Sequence, residues 1–511
     1  MGRLLAGVVL LVCAGPALAQ ETSLIDLLQA KGVLSKKEAQ RLKKSKSATP
    51  AAGQDALIQV LQAKGIITDS DLARLQTATL PTAASTPTAP QVTQWLSHLE
   101  SRQAELQAQA EQHSKAVEEL KKTAVADVKK NVDWLNRFSF FGDIRVRHEG
   151  FFQDGVEARN RQRLRLRFGA RLQISDELEG GLRLVSGDPN EIVANNQTLT
   201  DVFTRKPINI DNAYITVRPG KSIGLERPFF SITGGKFSVN FFRPRAIMSS
   251  ELVFDEDLTP EGLAEDLTLF ERKDGLGSVK LAAGQWSVKE FFPGRDAFML
   301  GEQFQVNWNP LPRLQLTVAG ADYYFLRSDA IAQERNRNSA LVLTNSVKLR
   351  NGQVVRGGDL IIPSTTNPIQ RFAGGFNILN FGGQLTWNTG YPKWPLTFMV
   401  DYAQNTEAAL GMDEAFLVGA GIGQTRDPGD WAFSSLWTRV ETDSVLSMFT
   451  LSDYGRRGGT NVQGPIVKLD YMLLPRLTLT AKGYFVNFID RPHTLKNSAV
   501  NRMQFDALFA F

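Results

Sequence analysis

The 511-residue sequence predicts an all-β transmembrane antiparallel barrel of about sixteen strands, within a range of roughly 14–18, preceded by an α-helical region that ends in a coiled-coil-like helix. Three observations predict it. The chain opens on an export leader, its hydrophobic period switches from helical to two at Phe138, and it closes on the alternating strand Met503–Phe511.

The leader consists of Arg3, the apolar run Leu4–Val12 and the triplet Ala17-Leu18-Ala19. This is the charged, hydrophobic and small-residue sequence of a secretory signal, so residues 1–19 are expected to be removed. The single cysteine, Cys13, lies inside the run, and Val12 stands where a lipidated cysteine would need a small residue. Cleavage after Ala19 leaves no cysteine, which excludes disulfides and thiol chemistry in an oxidising compartment. Beyond the leader no stretch approaches the roughly 18 apolar residues of a spanning helix. The net charge of +5 is small and its basic residues are scattered, so no nucleic-acid partner is expected.

Residues 20–78 hold an internal repeat: Leu28-Gln29-Ala30-Lys31-Gly32 matches Leu61-Gln62-Ala63-Lys64-Gly65, and Arg41-Leu42 matches Arg74-Leu75. Each copy is predicted to be a helical hairpin. Its glycine suits the left-handed cap of the first helix, and Ser35-x-x-Glu38 or Thr68-x-x-Asp71 starts the second. The Pro, Thr, Ala and Ser of 79–91 cannot bury a core and form a linker. From 92 to 135 apolar residues recur near heptad spacing, among them Val92, Leu96, Leu99, Leu106, Val117 and Leu120. A coiled-coil stalk follows, with a homotrimer as its natural partner state. The other reading is one amphipathic helix folded onto the hairpins, which polar Gln103 and His113 on the seam keep open.

From 136 to 511 the barrel is expected. In Arg163–Ile174 every even position is apolar and every odd one polar or glycine. Similar segments lie at 139–149, 158–174, 178–186, 208–218, 229–239, 275–283, 285–292, 298–308, 313–325, 376–388, 395–404, 412–421, 431–442, 463–473, 476–488 and 501–511. Tight turns at 309–313, 389–395 and 474–476 alternate with long loops near 187–206, 240–274, 326–375 and 443–462, the asymmetry of an outer-membrane barrel. Leu311-Pro312-Arg313-Leu314 and Leu474-Pro475-Arg476-Leu477 are near copies, and both are placed at the periplasmic rim.

The last strand carries Met503, Phe505, Ala507, Phe509 and Phe511 on one face. Phe505, Phe509 and the terminal Phe511 resemble the signal read by the outer-membrane barrel assembly machinery. Segments such as Phe141–Arg147 and Arg161–Arg167 resemble the Putative porin family of Gram-negative envelopes. That resemblance covers about three quarters of the chain and leaves the N-terminal repeat outside it. It implies a water-filled channel for passive diffusion of small hydrophilic solutes, with outer-membrane lipid and lipopolysaccharide around it. It implies no cofactor, metal or reaction.

With the leucines of 163–174 facing outward, Arg163, Arg165, Arg167 and Arg171 face the lumen, and Arg145 and Arg147 share their phase on the preceding strand. Low-dielectric walls focus the field of such a basic wall, so anions are favoured beside it. The competing expectation is that Asp143, Glu149, Glu157 and Glu179 neutralise the row. A loop bearing Glu251, Asp255, Glu256, Asp257, Glu261, Glu265 and Asp266 is the candidate constriction, facing the wall and setting a transverse field. An exposed acidic loop is its other reading. Val347–Arg356 contains Asn351-Gly352 and predicts a projecting hairpin with a type I′ turn.

Two other functional classes remain. One is a narrow or plugged barrel acting as an anchor or receptor, with a periplasmic domain that binds peptidoglycan or a protein partner. The other is a barrel enzyme, for which His98, His113, His148 and His493 are poorly placed and no nucleophile or zinc motif is present. Gly419-Ala420-Gly421-Ile422-Gly423 lacks the helix and lysine of a phosphate loop, and is expected to pack inside the barrel. Closure should bring Arg502 and Asp506 beside Asp143, Arg145 and Arg147.

Overall fold

The computed structural model describes residues 133–511, apart from 154–155, 201, 291–295, 359, 455–458 and 492–498, together with short helical pieces between 35 and 121. Of these pieces, 111–121 lies in the expected stalk and is helical, with Val117 and Leu120 exposed. The signal peptide, the linker and nearly all of the repeat lie outside the described residues.

Sixteen wall strands form the barrel. They are β1 Phe138–Gln153, β2 Val156–Ser175, β3 Leu178–Ser186, β4 Ile208–Val217, β5 Phe230–Lys236, β6 Glu261–Glu271, β7 Gly277–Lys289 and β8 Ala297–Leu311. The second half comprises β9 Leu314–Leu326, β10 Asn377–Trp387, β11 Leu396–Asn405, β12 Glu414–Gly423, β13 Trp431–Val440, β14 Val462–Leu474, β15 Leu477–Phe488 and β16 Ala499–Ala510. Each pairs antiparallel with its neighbours, and β1 pairs with β16 from Asp143↔Ala510 to Phe152↔Asn501. The sheet therefore has no free edge, which is what a hydrocarbon environment demands of a β-structure. The two-residue strand Gln197–Thr198 adds to β2 beyond the end of β3.

The expected strand number is met by a different set of strands. The segments 275–283 and 285–292 are one strand, β7. Glu261–Glu271, read in sequence as part of an acidic loop, is β6. Gly284 caused the split: it sits inside β7 because the indole of Trp286 lies across it, leaving no room for a Cβ. The type I′ hairpin also needs correction. Val347 and Lys348 do pair with Val355 and Val354, but Gly352 alone takes a positive φ (89°) and Asn351 does not. Nor does the hairpin simply project, because Val347 is fully buried and Ile369–Phe372 adds a third strand.

Phases along the strands divide the side chains cleanly. Phe140, Ile144, Phe168, Phe304, Trp308, Phe381, Phe398, Trp437, Phe505, Phe509 and Phe511 are exposed on the outer face. The lumen side carries the buried Arg147, Arg163, Arg165, Asp401, Arg502 and Gln504.

Two long loops fill much of the lumen. Residues 237–260 leave β5 and cross to the far wall. There Phe242 N donates to Gln303 Oε1 (2.7 Å), Arg245 N to Gln384 Oε1 (2.9 Å) and Ser250 Oγ to Asp401 Oδ2 (2.5 Å). Inward glycines make the space. A Cβ on Gly382 would stand 2.7 Å from Pro244, and one on Gly421 would stand 2.9 Å from Ile247 Cγ1 and 3.1 Å from its backbone nitrogen. Gly421 thus packs inside the barrel as expected, whereas Ala420, in the phase of the exposed Val418, faces outward. Residues 441–454 fold onto the first loop: Asp255 N donates to Phe449 O (2.7 Å) and Thr450 Oγ1 to Leu252 O (2.8 Å). Leu252, Phe254, Tyr323, Phe325, Met448 and Phe449 belong to one apolar core inside the barrel.

Gly421→Val should push residues 244–248 off the wall and lower unfolding stability by about 1–3 kcal/mol, the usual penalty of overpacking. Urea unfolding in detergent checks this, and an unchanged midpoint would mean that the loop does not rest there.

Candidate functional site

The candidate site grows out of the alternation of β1, β2, β15 and β16. Their inward positions bring Arg145, Arg147, Arg163, Arg165, Arg167, Lys482 and Arg502 onto one stretch of wall. Cations in such a row repel one another, so each needs a carboxylate or a carbonyl close by. Asp143 sits between Arg165 (3.0 Å) and Arg167 (2.6 Å). Arg147 holds Asp506 with both Nε (2.7 Å) and Nη2 (2.8 Å), the bidentate geometry that suits a guanidinium. Glu149, fully buried, accepts from Arg161, from Arg502 (2.5 Å) and from Gln504 (3.3 Å). Arg145 donates to Asn196 Oδ1 (2.6 Å) and Arg163 to Asn196 O (2.9 Å).

The loops bring the opposing charge. A cavity of about 90 Å³ lies between Arg145, Arg147, Arg165 and Lys482 on the wall and Glu251, Asp255, Glu256, Asp257 and Asp453 on the loops. Asp257 reaches Arg167 at 3.8 Å, and Asp453 reaches Arg147 at 3.5 Å and Arg502 at 2.7 Å. Basic and acidic faces therefore meet across one small cavity, called the eyelet below.

Its carboxylates are not equivalent. Burial pushes Glu251 up to about 7, with Glu256 beside it acting in the same direction. Burial, then Glu251 and Asp257, raises Asp255 well above the usual carboxylate range. Burial also opposes ionisation of Asp257, but Arg165, Arg167 and Arg145 outweigh it and hold that group low. Arg502, Arg147 and Lys482 do the same, more strongly, for Asp453.

Of the six arginines expected on the wall, Arg145, Arg147 and Arg165 line the eyelet and Arg167 touches it through Asp257. Arg163 lines a neighbouring cavity of about 140 Å³ with Arg159, Arg161 and Arg502. Arg171 lies over the ring of Phe141, 5.1 Å from its centre, and does not line the eyelet. Among the carboxylates expected to neutralise the row, Asp143 and Glu149 do so, while Glu179 instead accepts from Tyr214 and Arg218.

The acidic loop is shorter than expected. Glu261, Glu265 and Asp266 belong to β6: Glu261 bonds Lys236 at the strand end, Glu265 accepts from Gln285, and Asp266 accepts from Asn240. Glu265 shares the phase of the exposed Leu263 and so points outward. Sequence reasoning missed Asp453, Lys482 and Asn196. Lys482 was accessible to it, since Thr478, Thr480, Lys482 and Tyr484 share one phase. Asp453 and Asn196 sit in irregular loops with no period to place them. Closure brings Asp506 beside Arg147 as expected, whereas Arg502 lies opposite Phe151 and bonds Glu149 rather than meeting Asp143, Arg145 or Arg147.

Glu149→Gln removes the charge that three arginines share. It should destabilise the barrel by on the order of 3 kcal/mol, the penalty for leaving buried charge uncompensated. Heat-modifiable mobility and urea unfolding measure it, and wild-type stability would show that Glu149 is not the hub of the row.

The Putative porin family model matches residues 19–158, 152–362 and 369–509. The match begins at residue 19, which corrects the expectation that the N-terminal repeat lies outside the family. No curated protein matches the chain. Among solved structures, OprB of Pseudomonas putida is 12% identical over 74% of this chain and 96% of that one, with a TM-score of 0.46. OmpF of Salmonella typhi, in complex with daunomycin, is 8% identical over 73% and 97%, with a TM-score of 0.42. The trimer form of Vibrio cholerae OmpT is 11% identical over 73% and 99%, with a TM-score of 0.39. A closed sixteen-stranded barrel with an apolar exterior and a charged lumen, matched by this family model along nearly its whole sequence, belongs to the Putative porin family and is an outer-membrane porin.

Proposed function

We propose that the protein is a passive channel rather than an enzyme, and that solutes cross at the eyelet between the arginine wall and the two inward loops. The supporting observation is the opposition of Arg145, Arg147, Arg165 and Lys482 to Glu251, Glu256, Asp257 and Asp453 across one small cavity. A field across a narrow, low-dielectric passage orients dipoles and gives each end of a zwitterion a partner. Asp143, Glu149 and Asp506 pair the wall arginines, which cancels much of the attraction they would exert on a simple anion. Small dipolar and zwitterionic solutes are therefore the favoured cargo, with any anion preference weak.

The N-terminal region is read as periplasmic: a cleaved signal at 1–19, two helical hairpins at 20–78, a linker at 79–91 and a stalk at 92–135. Support comes from β1, which starts at the short-turn rim where Phe511 also ends, and from the exposed seam residues Val117 and Leu120. On this reading the stalk joins three copies and the hairpins grip peptidoglycan or a periplasmic protein. Deleting 20–135 should abolish co-sedimentation with cell walls, and unchanged co-sedimentation would refute the tether.

Reversal potentials in planar bilayers test the eyelet. Glu251→Gln, Asp255→Asn and Asp257→Asn together should shift selectivity toward anions, and no shift would remove the constriction from the loops. In the unmodified protein, lowering pH through about 7 protonates Glu251 while Asp257 and Asp453 remain charged. The same anionward shift should appear there, and it should be absent from Glu251→Gln alone.

A further inference from the structure

An apolar finger stands at the long-loop rim, apart from the pore. In the Gln197–Thr198 strand, Thr198 lies opposite the lumen-facing Arg163, and the next nitrogen, Leu199 N, donates to Gln162 O (3.0 Å). Leu199 thus falls in the outward phase and is 48% exposed. At the tip, Val202 is 90% exposed and Phe203 fully so. Both take positive φ, 44° and 62°, in a region that β-branched and bulky residues rarely enter. The chain then continues through Arg205 and Lys206 into β4, where Ile208 and Ile210 face outward, each 60% exposed.

Large apolar side chains held clear of the fold in a disfavoured backbone conformation gain nothing from water. Continuity selects their occupant. Leu199 on one side and Ile208 and Ile210 on the other already belong to the lipid-facing band, so the tip is the upward extension of that band. Beyond Thr204 the chain carries the exposed cation Arg205. An apolar anchor with an adjoining cation is the chemistry of a phosphorylated lipid surface.

We propose a lipid finger at this rim: Val202 and Phe203 insert among the acyl chains of the outer leaflet, while Arg205 engages the phosphates of its phosphorylated glycolipid. This rests on the barrel lying in the outer membrane and is independent of what the pore conducts.

The test uses the full chain carrying Cys13→Ser and Phe203→Cys, with an environment-sensitive fluorophore on residue 203, reconstituted in phosphatidylcholine vesicles with and without lipid A. Val354→Cys, in the exposed loop hairpin, is the aqueous reference. Nitroxide-labelled acyl chains should quench the label at 203 at least about twofold more than the label at 354. Iodide, present on both sides, should rank the two sites in the opposite order. Iodide quenching at 203 equal to that at 354 would overturn insertion. Lipid A should deepen acyl quenching at 203, and Arg205→Ala should abolish that increment. No increment in the parent protein would overturn phosphate binding. Ion flux through the same vesicles reads the channel separately, so a failed finger and a failed pore give different results.

Discussion

Closure of the sheet is the constraint on which the rest of the structure depends. A strand edge left open in hydrocarbon would strand a row of peptide groups without partners. The last residue completes the seal, with Phe511 N donating to Gly142 O (3.0 Å) and Gly142 N to Phe511 O (3.1 Å). Once the wall is closed, every side chain has one of two fates. Outward positions meet lipid and are mostly apolar, Glu265 of β6 being an exception. Inward positions share a confined volume, in which charges must find partners and loops must find room.

The lumen solves both problems with residues from distant parts of the chain. Asp143 and Glu149 from β1, Asp506 from β16, and Asp257 and Asp453 from two loops all serve one row of cations. The loops in turn are bound to each other and to the far wall, and share a dry core with Tyr323 and Phe325. The eyelet is therefore edged by a packed body whose carboxylates have fixed positions. Its charges are held in place by the packing around them, so the field across the cavity is preorganised. The same packing explains why Glu251 and Asp255 resist ionisation while Asp257 and Asp453, a few ångströms from guanidinium groups, do not.

Where reading the sequence failed, local packing had overruled the period. β6 hides its alternation because Glu261 and Glu265 occupy its outward phase, where a lipid-facing strand should be apolar, while Gly262 and Ala264 lie inward. In β7 the glycine that broke the pattern is there to receive Trp286. Gly352 turns the loop hairpin without a second positive φ. Each is a contact between side chains or a single backbone choice, invisible to hydropathy.

The count of sixteen strands read from the sequence came out right because a split strand offset a missed one. By itself, the sequence determined the barrel, the inward phase of Arg145, Arg147, Arg163, Arg165 and Arg167, and the meeting of Arg147 with Asp506. Those follow from a period of two and from closure, both of which are local or topological rules. Only the tertiary structure decided which carboxylates stand across from the arginines. Asp453 and Asn196 reach the eyelet through irregular loops, and Glu261, Glu265 and Asp266 leave it because their segment was captured by the wall. The physical reason is that a strand position is fixed by its neighbours in sequence, whereas a loop position is fixed by whatever packs against it.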